Sequence, residues 1–319
     1  MGEVVRPQAI RLEASSHCQL RCPSCPTTSH AIHPAVGSGF LDPVDFEHLL
    51  VQNPSLRIVE LSNYGEIFLN PKLPEILRIA HERNVALAAT NGANFNNVSQ
   101  AALEALVRYR FRHITCSIDG ASQETYARYR VRGTYEHVIA NIRRLNEFKR
   151  AQGSEWPRLD WQFVVFGYNE HEIPVARRLA AELGMDFRLK LSWDEQFSPV
   201  RDGDLVRRAM GTNYATRSEF AARHGADYMH GLCHQLWDTP QINFDGRVLG
   251  CCRNFWGEFG GNAFTDGLET VLNSDRMNHG RDMVRGLAPP RDDVPCTTCD
   301  IYRAMKENGR WLERPVRPR

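Results

Sequence analysis

Three cysteines, Cys18, Cys22 and Cys25, stand in a C-x3-C-x2-C spacing just past a short apolar segment near the start of a 319-residue chain. Three thiols this close in sequence can close on a metal without help from the rest of the fold. Thiolates suit zinc, copper(I), or iron with sulfide. A structural zinc site usually has four protein ligands. Three local thiolates therefore either await a distant fourth or leave one metal position open to something that is not protein. Arg21, Pro23 and Ser24 make this a polar loop and argue against three cysteines packed as small hydrophobes.

Five further cysteines fall in two more neighbourhoods, 233/251/252 and 296/299, and only Cys116 stands apart. Cys116 lies mid-strand between Ile114 and Ile118 and reads as a packed core thiol. Asp245-Gly246 is a hairpin turn signal between short strands over 241–244 and 247–251, and that hairpin brings Cys251 back near Cys233. With the C-x2-C pair Cys296/Cys299 this gives four thiolates from three places, a closed site that metal chemistry alone would fill with structural zinc. Strand alternation turns Cys252 to the face opposite Cys251.

The elements that must position these groups read as alternating strands and helices. Strands are expected over 9–14, 57–62, 85–90, 113–118, 159–166 and 187–191, and helices over 43–50, 73–83, 99–109, 136–152 and 173–183, with Asp42 as cap of the first helix. Repeated strand–helix units predict a parallel sheet whose working groups sit on loops at the strand C-termini. Cys18, Glu66, Asn91 and Asp119 all fall at that end. In the sixth strand Phe187, Leu189 and Leu191 alternate with Arg188 and Lys190, two cations on one face that would grip a polar substrate or show a charged side to water.

At this point the chain resembles the radical S-adenosylmethionine (SAM) enzymes, whose signature is this same cysteine spacing after the first strand of a partial (β/α)6 barrel. The resemblance implies a four-iron four-sulfur cluster on Cys18, Cys22 and Cys25, with SAM chelating the fourth iron. Asn63-Tyr64-Gly65-Glu66 is similar to the family's Gly-Gly-Glu motif for the SAM amino group, with Tyr64 in place of the first glycine. By the same resemblance Asn91, Ser117 and Asp119 would approach SAM, with a Ser or Asp near the end of strand four meeting its ribose. Arg130 would pair with its carboxylate, as suits guanidinium geometry, with Arg132 as the neighbour most easily confused with it. Val164 would lie against adenine. The C-terminal cysteines resemble the auxiliary-cluster domains of the SPASM and twitch type, nearest the twitch form with one cluster. Cys233, Cys251, Cys296 and Cys299 would be its ligands, and the spacing is similar to that of aminocyclitol dehydrogenases and aminoglycoside epimerases. The cofactors implied are SAM and two four-iron four-sulfur clusters.

Composition sets the remaining bounds. Thirty-nine basic and 38 acidic residues leave a net charge of +1, which steers the protein toward neither nucleic acid nor a membrane surface. No secretion signal or eighteen-residue apolar run is visible, so a cytoplasmic protein is expected. The sequence divides as a barrel over 1–205, a small domain over 206–300 with a hairpin and auxiliary cluster, and a tail over 301–319 whose basic end, 314–319, is expected to be disordered.

The expected reaction is abstraction of a hydrogen atom from a small polar substrate, a sugar or aminocyclitol, followed by dehydrogenation with the auxiliary cluster as electron acceptor. A flavodoxin- or ferredoxin-type protein would supply electrons. Catalytic candidates are Cys252, Arg188 and Lys190. The alternatives are an epimerase in which Cys252 donates the hydrogen atom, a peptide-modifying SPASM enzyme, and a non-catalytic zinc protein.

Overall fold

The computed structural model describes residues 4–34 and 36–313; the basic stretch 314–319 lies outside them. β1 (Ala9–Leu12) leads into the first cysteine loop, and the chain then alternates through α1 (Pro43–Gln52), β2 (Ile58–Glu60), α2 (Leu73–Glu82), β3 (Ala86–Ala93), α3 (Gln100–Arg108) and β4 (His113–Ser117). A short α4 (Gln123–Tyr129) precedes α5 (Tyr135–Ala151), β5 (Arg158–Val165), α6 (Ile173–Glu182) and β6 (Asp186–Leu191). Helix starts follow local chemistry. Asp42 accepts from the Val44 amide with Pro43 in the first turn, and Ser99 and Ser122 cap α3 and α4 in the same way.

β1 to β6 pair in parallel, in sequence order, with apolar side chains filling the space beneath the helices. The sheet is open, with β6 at one edge. β3 runs past the expected end at residue 90, because its pairing with β4 shifts register between Ala89 and Ala93. Gly92 takes φ +135° there, close against Ser117.

Beyond the barrel come α7 (Gly203–Met210), α8 (Arg217–His224), α9 (Gln235–Asp238), β7 (Gln241–Ile242), β8 (Val248–Gly250), α10 (Leu268–Leu272), α11 (Asp275–Val284) and α12 (Asp300–Asn308). β7 and β8 form the expected antiparallel hairpin. β7 also pairs in parallel with β1, so one eight-stranded sheet runs β6-β5-β4-β3-β2-β1-β7-β8. Buried Arg11 clips this junction, bonding Gln241 Oε1 at 3.1 Å and the Ser62 carbonyl at 3.1 Å. The expected tail from residue 301 is corrected: Ile301, Tyr302, Met305 and Leu312 are buried, so α12 and the segment after it belong to the core.

Candidate active site and auxiliary cluster pocket

β1 ends in a loop that carries all three N-terminal thiols to the C-terminal mouth of the sheet. A tight turn, in which the Cys25 amide donates to the Cys22 carbonyl at 3.1 Å, fixes their spacing, and the Arg21 amide ties the loop to the Val131 carbonyl. The three thiols face a cavity of about 620 Å3. Two side-chain donors stand beside them, while the Cys18 thiol itself donates to Gln19 Oε1 at 3.9 Å. Arg130 Nη1 lies 3.7 Å from Cys22 Sγ and Asn94 Nδ2 lies 3.9 Å from Cys18 Sγ. Burial pushes the Cys18 thiol up to about 12, with the Glu66 charge adding to it, and burial likewise raises Cys22. A metal that replaces those protons relieves this cost, and the flanking donors then stabilise the thiolate sulfurs. Among the described residues no three His, Cys, Asp or Glu side chains converge as a single ion requires.

The loop after β2 lies beside the thiols. Glu13, at the end of β1, accepts from the amides of Tyr64 at 3.0 Å and Gly65 at 2.9 Å and so shapes this loop from beneath. Gly65 has no substitute, since a Cβ there would sit 1.8 Å from the Ser15 carbonyl oxygen. Glu66 is buried, accepts from the Asn94 amide at 2.6 Å, and is pushed by burial up to about 7. Tyr64, where a glycine was expected, reaches across to the C-terminal domain and donates from its hydroxyl to the Arg253 carbonyl at 3.1 Å.

Asn63 was not singled out from the sequence. It lines the cavity with its side chain 9% exposed, yet neither Nδ2 nor Oδ1 has a partner among the described residues. A buried primary amide left unsatisfied is costly and marks a place where a ligand supplies both donor and acceptor. SAM, with its ammonium, carboxylate and ribose hydroxyls, fits that demand. Glu13 and Asn94 were also missed. An inward carboxylate at a strand end was the one available signal for Glu13, and nothing local marked Asn94.

Of the other expected SAM contacts, Asn91, Ser117, Val164 and Arg130 line the cavity with Tyr64 and Gly65. Asp119 does not, which corrects its assignment. It is fully buried, accepts from the Val164 amide at 2.7 Å and from Arg130 Nε at 2.6 Å, and so aims Arg130 rather than a ligand. Arg132 is exposed with φ +70°, so Arg130 is the inward arginine of the two. On β6, Lys190 lines the cavity and Arg188 does not. Two residues along a strand is one pleat repeat, roughly 6.6 Å. That step puts Arg188 nearer the strand N-termini, where its side chain is exposed to water and pairs with Asp160 at 2.6 Å. Arg188 is therefore removed from the catalytic candidates.

The second thiol set surrounds a separate apolar pocket. Cys233 from a helical turn over 230–234, Cys251 just after β8, and Cys296 and Cys299 from the turn before α12 line it together with Trp256 and Phe259. Burial raises all four thiols, and Cys233, Cys251 and Cys296 each also feel others of the set, so the donor set is built for a group that takes several thiolates at once. Cys252 is turned away from this pocket and lines the main cavity instead. Leu232 and Ile301 line both spaces, so the wall between them is a single layer of side chains.

A trio of thiols at the mouth of an open parallel barrel, with a four-thiol pocket behind the cavity wall, defines a class of iron–sulfur barrel enzymes. The chain belongs to the radical SAM superfamily, whose family model matches residues 12–179, and a model of an iron-sulfur cluster-binding domain of the SPASM type matches residues 233–300. SAM and two four-iron four-sulfur clusters are accordingly its cofactors, and the zinc reading of the second module gives way to an auxiliary cluster. A sequence comparison with curated proteins finds no match. Among solved structures, Streptococcus suis SuiB is similar with a TM-score of 0.65 and 16% identity, over 92% of this chain and 71% of that one. Native anSMEcpe with bound AdoMet gives 0.62 and 14%, over 93% and 88%. BtrN in complex with AdoMet and 2-DOIA gives 0.53 and 15%, over 94% of both chains. At these identities the likeness speaks for the fold.

Proposed function

We propose that the protein oxidises a carbinol carbon of a small polar substrate by two electrons, with the auxiliary cluster as acceptor of the second. When bound and reduced, SAM and the first cluster supply a 5′-deoxyadenosyl radical that removes a hydrogen atom from carbon. The chain's residues do the rest. Asn63, Glu66 and Arg130 meet the polar end of SAM, Ser117 its ribose and Val164 its adenine, while Lys190 Nζ faces the substrate. The observation that carries this reading is the shared wall. Four cysteines line the auxiliary pocket without borrowing a ligand from the cavity, and Leu232 and Ile301 line both spaces. A cavity of about 620 Å3 that must also take SAM suits a small molecule. BtrN, which shares the fold, was solved with 2-DOIA; SuiB and anSMEcpe were solved with peptides, so the fold itself permits either. Electrons would come from a flavodoxin- or ferredoxin-type donor. Among the described residues no helix is long and apolar enough to cross a membrane.

The placement of Cys252 favours a second reading. A thiol facing the cavity can give a hydrogen atom to a carbon radical, because its S–H bond is the weaker one. Donation to the far face inverts the centre. Turnover of candidate sugars and aminocyclitols in deuterated water, with anaerobically reconstituted enzyme, separates the two. Dehydrogenation gives a product lighter by two hydrogens and survives Cys252→Ala. Epimerisation fixes one solvent deuterium on carbon and stops in Cys252→Ala while both clusters remain. A product with one deuterium fixed at the reacting carbon and no net loss of hydrogen would overturn the first reading.

A further inference from the structure

Three cations from three different elements meet in the cavity beside Cys252: Lys190 from β6, Arg217 from the first turn of α8, and Arg253 from the segment after β8. Each is half-buried, and Arg217 feels the positive charge of Arg253 as Lys190 feels that of Arg217. Carboxylates answer part of this charge: Arg217 feels Asp227 and Glu195, and Lys190 feels Asp119. Arg253 Nη2 bonds Asp300 at 2.7 Å, but its Nη1 is buried without a partner. Arg217 spends Nε and Nη2 on the Leu191 carbonyl and lies over the Tyr228 ring. The Lys190 side chain makes no hydrogen bond or ion pair among the described residues, and burial lowers its pKa from the ordinary lysine value.

The remaining carboxylates around this part of the cavity accept hydrogen bonds from neutral donors, which hold them in place and leave their charge intact. Asp194 takes the Ser24 hydroxyl at 2.6 Å and the Phe197 amide at 3.2 Å. Glu195 takes the amide and hydroxyl of Ser218, and Asp227 takes the Met229 amide. Each therefore serves a loop or a helix start. What the protein leaves open is donors: Arg253 Nη1 and the Lys190 ammonium have no acceptor among the described residues, and a buried donor left unpaired is costly until an acceptor meets it.

We propose that Lys190, Arg217 and Arg253 form a subsite for an anionic oxygen group, carboxylate or phosphate, carried by the substrate. This rests on the reading of the cavity as the site of a small polar substrate and narrows that class to acidic ones. The two guanidinium groups offer planar donors that match such a group, and the lysine adds a point charge. Held there, the substrate lies against Cys252 and the wall shared with the auxiliary pocket, so one anchor would serve either radical outcome.

The test is a binding measurement that needs no turnover. Inorganic phosphate is titrated calorimetrically into the anaerobic, SAM-loaded holoenzyme. Saturable binding is expected. It should weaken roughly tenfold or more in Lys190→Met and in Arg217→Gln, and stay unchanged in Arg178→Gln, an exposed cation on α6. Cluster absorbance and circular dichroism report whether each variant is folded. If Arg217→Gln loses its clusters, Arg253→Lys takes its place: it keeps a cation beside Asp300 but removes the unpartnered Nη1, and phosphate binding should weaken in it likewise. Absence of phosphate binding to the parent enzyme, or binding equal in parent and cavity variants, overturns the proposal. Comparing a hexuronate with a hexose 6-phosphate then tells carboxylate from phosphate. Phosphate binding without oxidation of any substrate would sink the proposed reaction and leave the subsite standing. Oxidation of neutral or cationic sugars without anion binding would do the reverse.

Discussion

Asn63 isolates what one residue contributes. Its amide is buried, unsatisfied in the described protein, and lines the same cavity as Glu66 and the thiols. Replacing it with leucine, of similar shape, removes two unpaired polar atoms. The expected outcome is an apo protein at least as stable as the parent and a SAM affinity lower by about tenfold, with the first cluster retained. Equilibrium dialysis of SAM and thermal unfolding check the two halves separately. Glu13 makes a pH prediction. Burial lifts its carboxyl to about 7, against an ordinary 4.5. Below the ordinary value the group is protonated in folded and unfolded chains alike, and its contribution to stability is full. As pH rises through 7 the folded chain must ionise a buried carboxyl, and stability falls. The thermal midpoint of SAM-free protein should therefore drop between pH 4.5 and about 7, and Glu13→Gln, which keeps the acceptor for Tyr64 and Gly65, should flatten that drop.

At the level of elements, the hairpin of β7 and β8 completes the barrel sheet instead of standing beside it. The Arg11 amide donates to the Pro240 carbonyl and the Glu13 amide to the Ile242 carbonyl. The strand that launches the first cysteine loop is thus held from both sides. A chain cut after residue 205 would leave β1 as a bare apolar edge. We expect that fragment to aggregate and to retain little iron, measured by size exclusion and iron content. A soluble monomer with one intact cluster would show that the barrel stands alone. The periodic elements were legible because alternation and helical spacing are written locally. The hairpin's pairing with β1 was not, since two-residue contacts between strands some 230 positions apart leave no local trace. The same holds for α12, whose burial depends on partners elsewhere.

For the whole molecule, the consequence is a pair of spaces, one polar and one apolar, divided by a thin wall that both domains build. Removing an auxiliary ligand, as in Cys296→Ala, should leave reductive cleavage of SAM by dithionite in place and abolish the oxidised product, read as 5′-deoxyadenosine formed without it. The sequence by itself determined the chemistry: a thiol trio in one tight loop, a Gly-Glu turn after the second strand, and four more thiols gathered by a hairpin and a C-x2-C pair. Such groups announce themselves because their spacing along the chain already sets their spacing in space. Only the tertiary structure decided which of two neighbours faces inward. It put Cys251 toward the cluster pocket and Cys252 toward the cavity, kept Lys190 and set Arg188 one pleat back toward the strand N-termini, and turned Asp119 from a ligand contact into the carboxylate that aims Arg130. Those choices depend on strand register, on the direction of each pleat and on partners folded in from afar, and none of these is encoded within reach of the residue concerned.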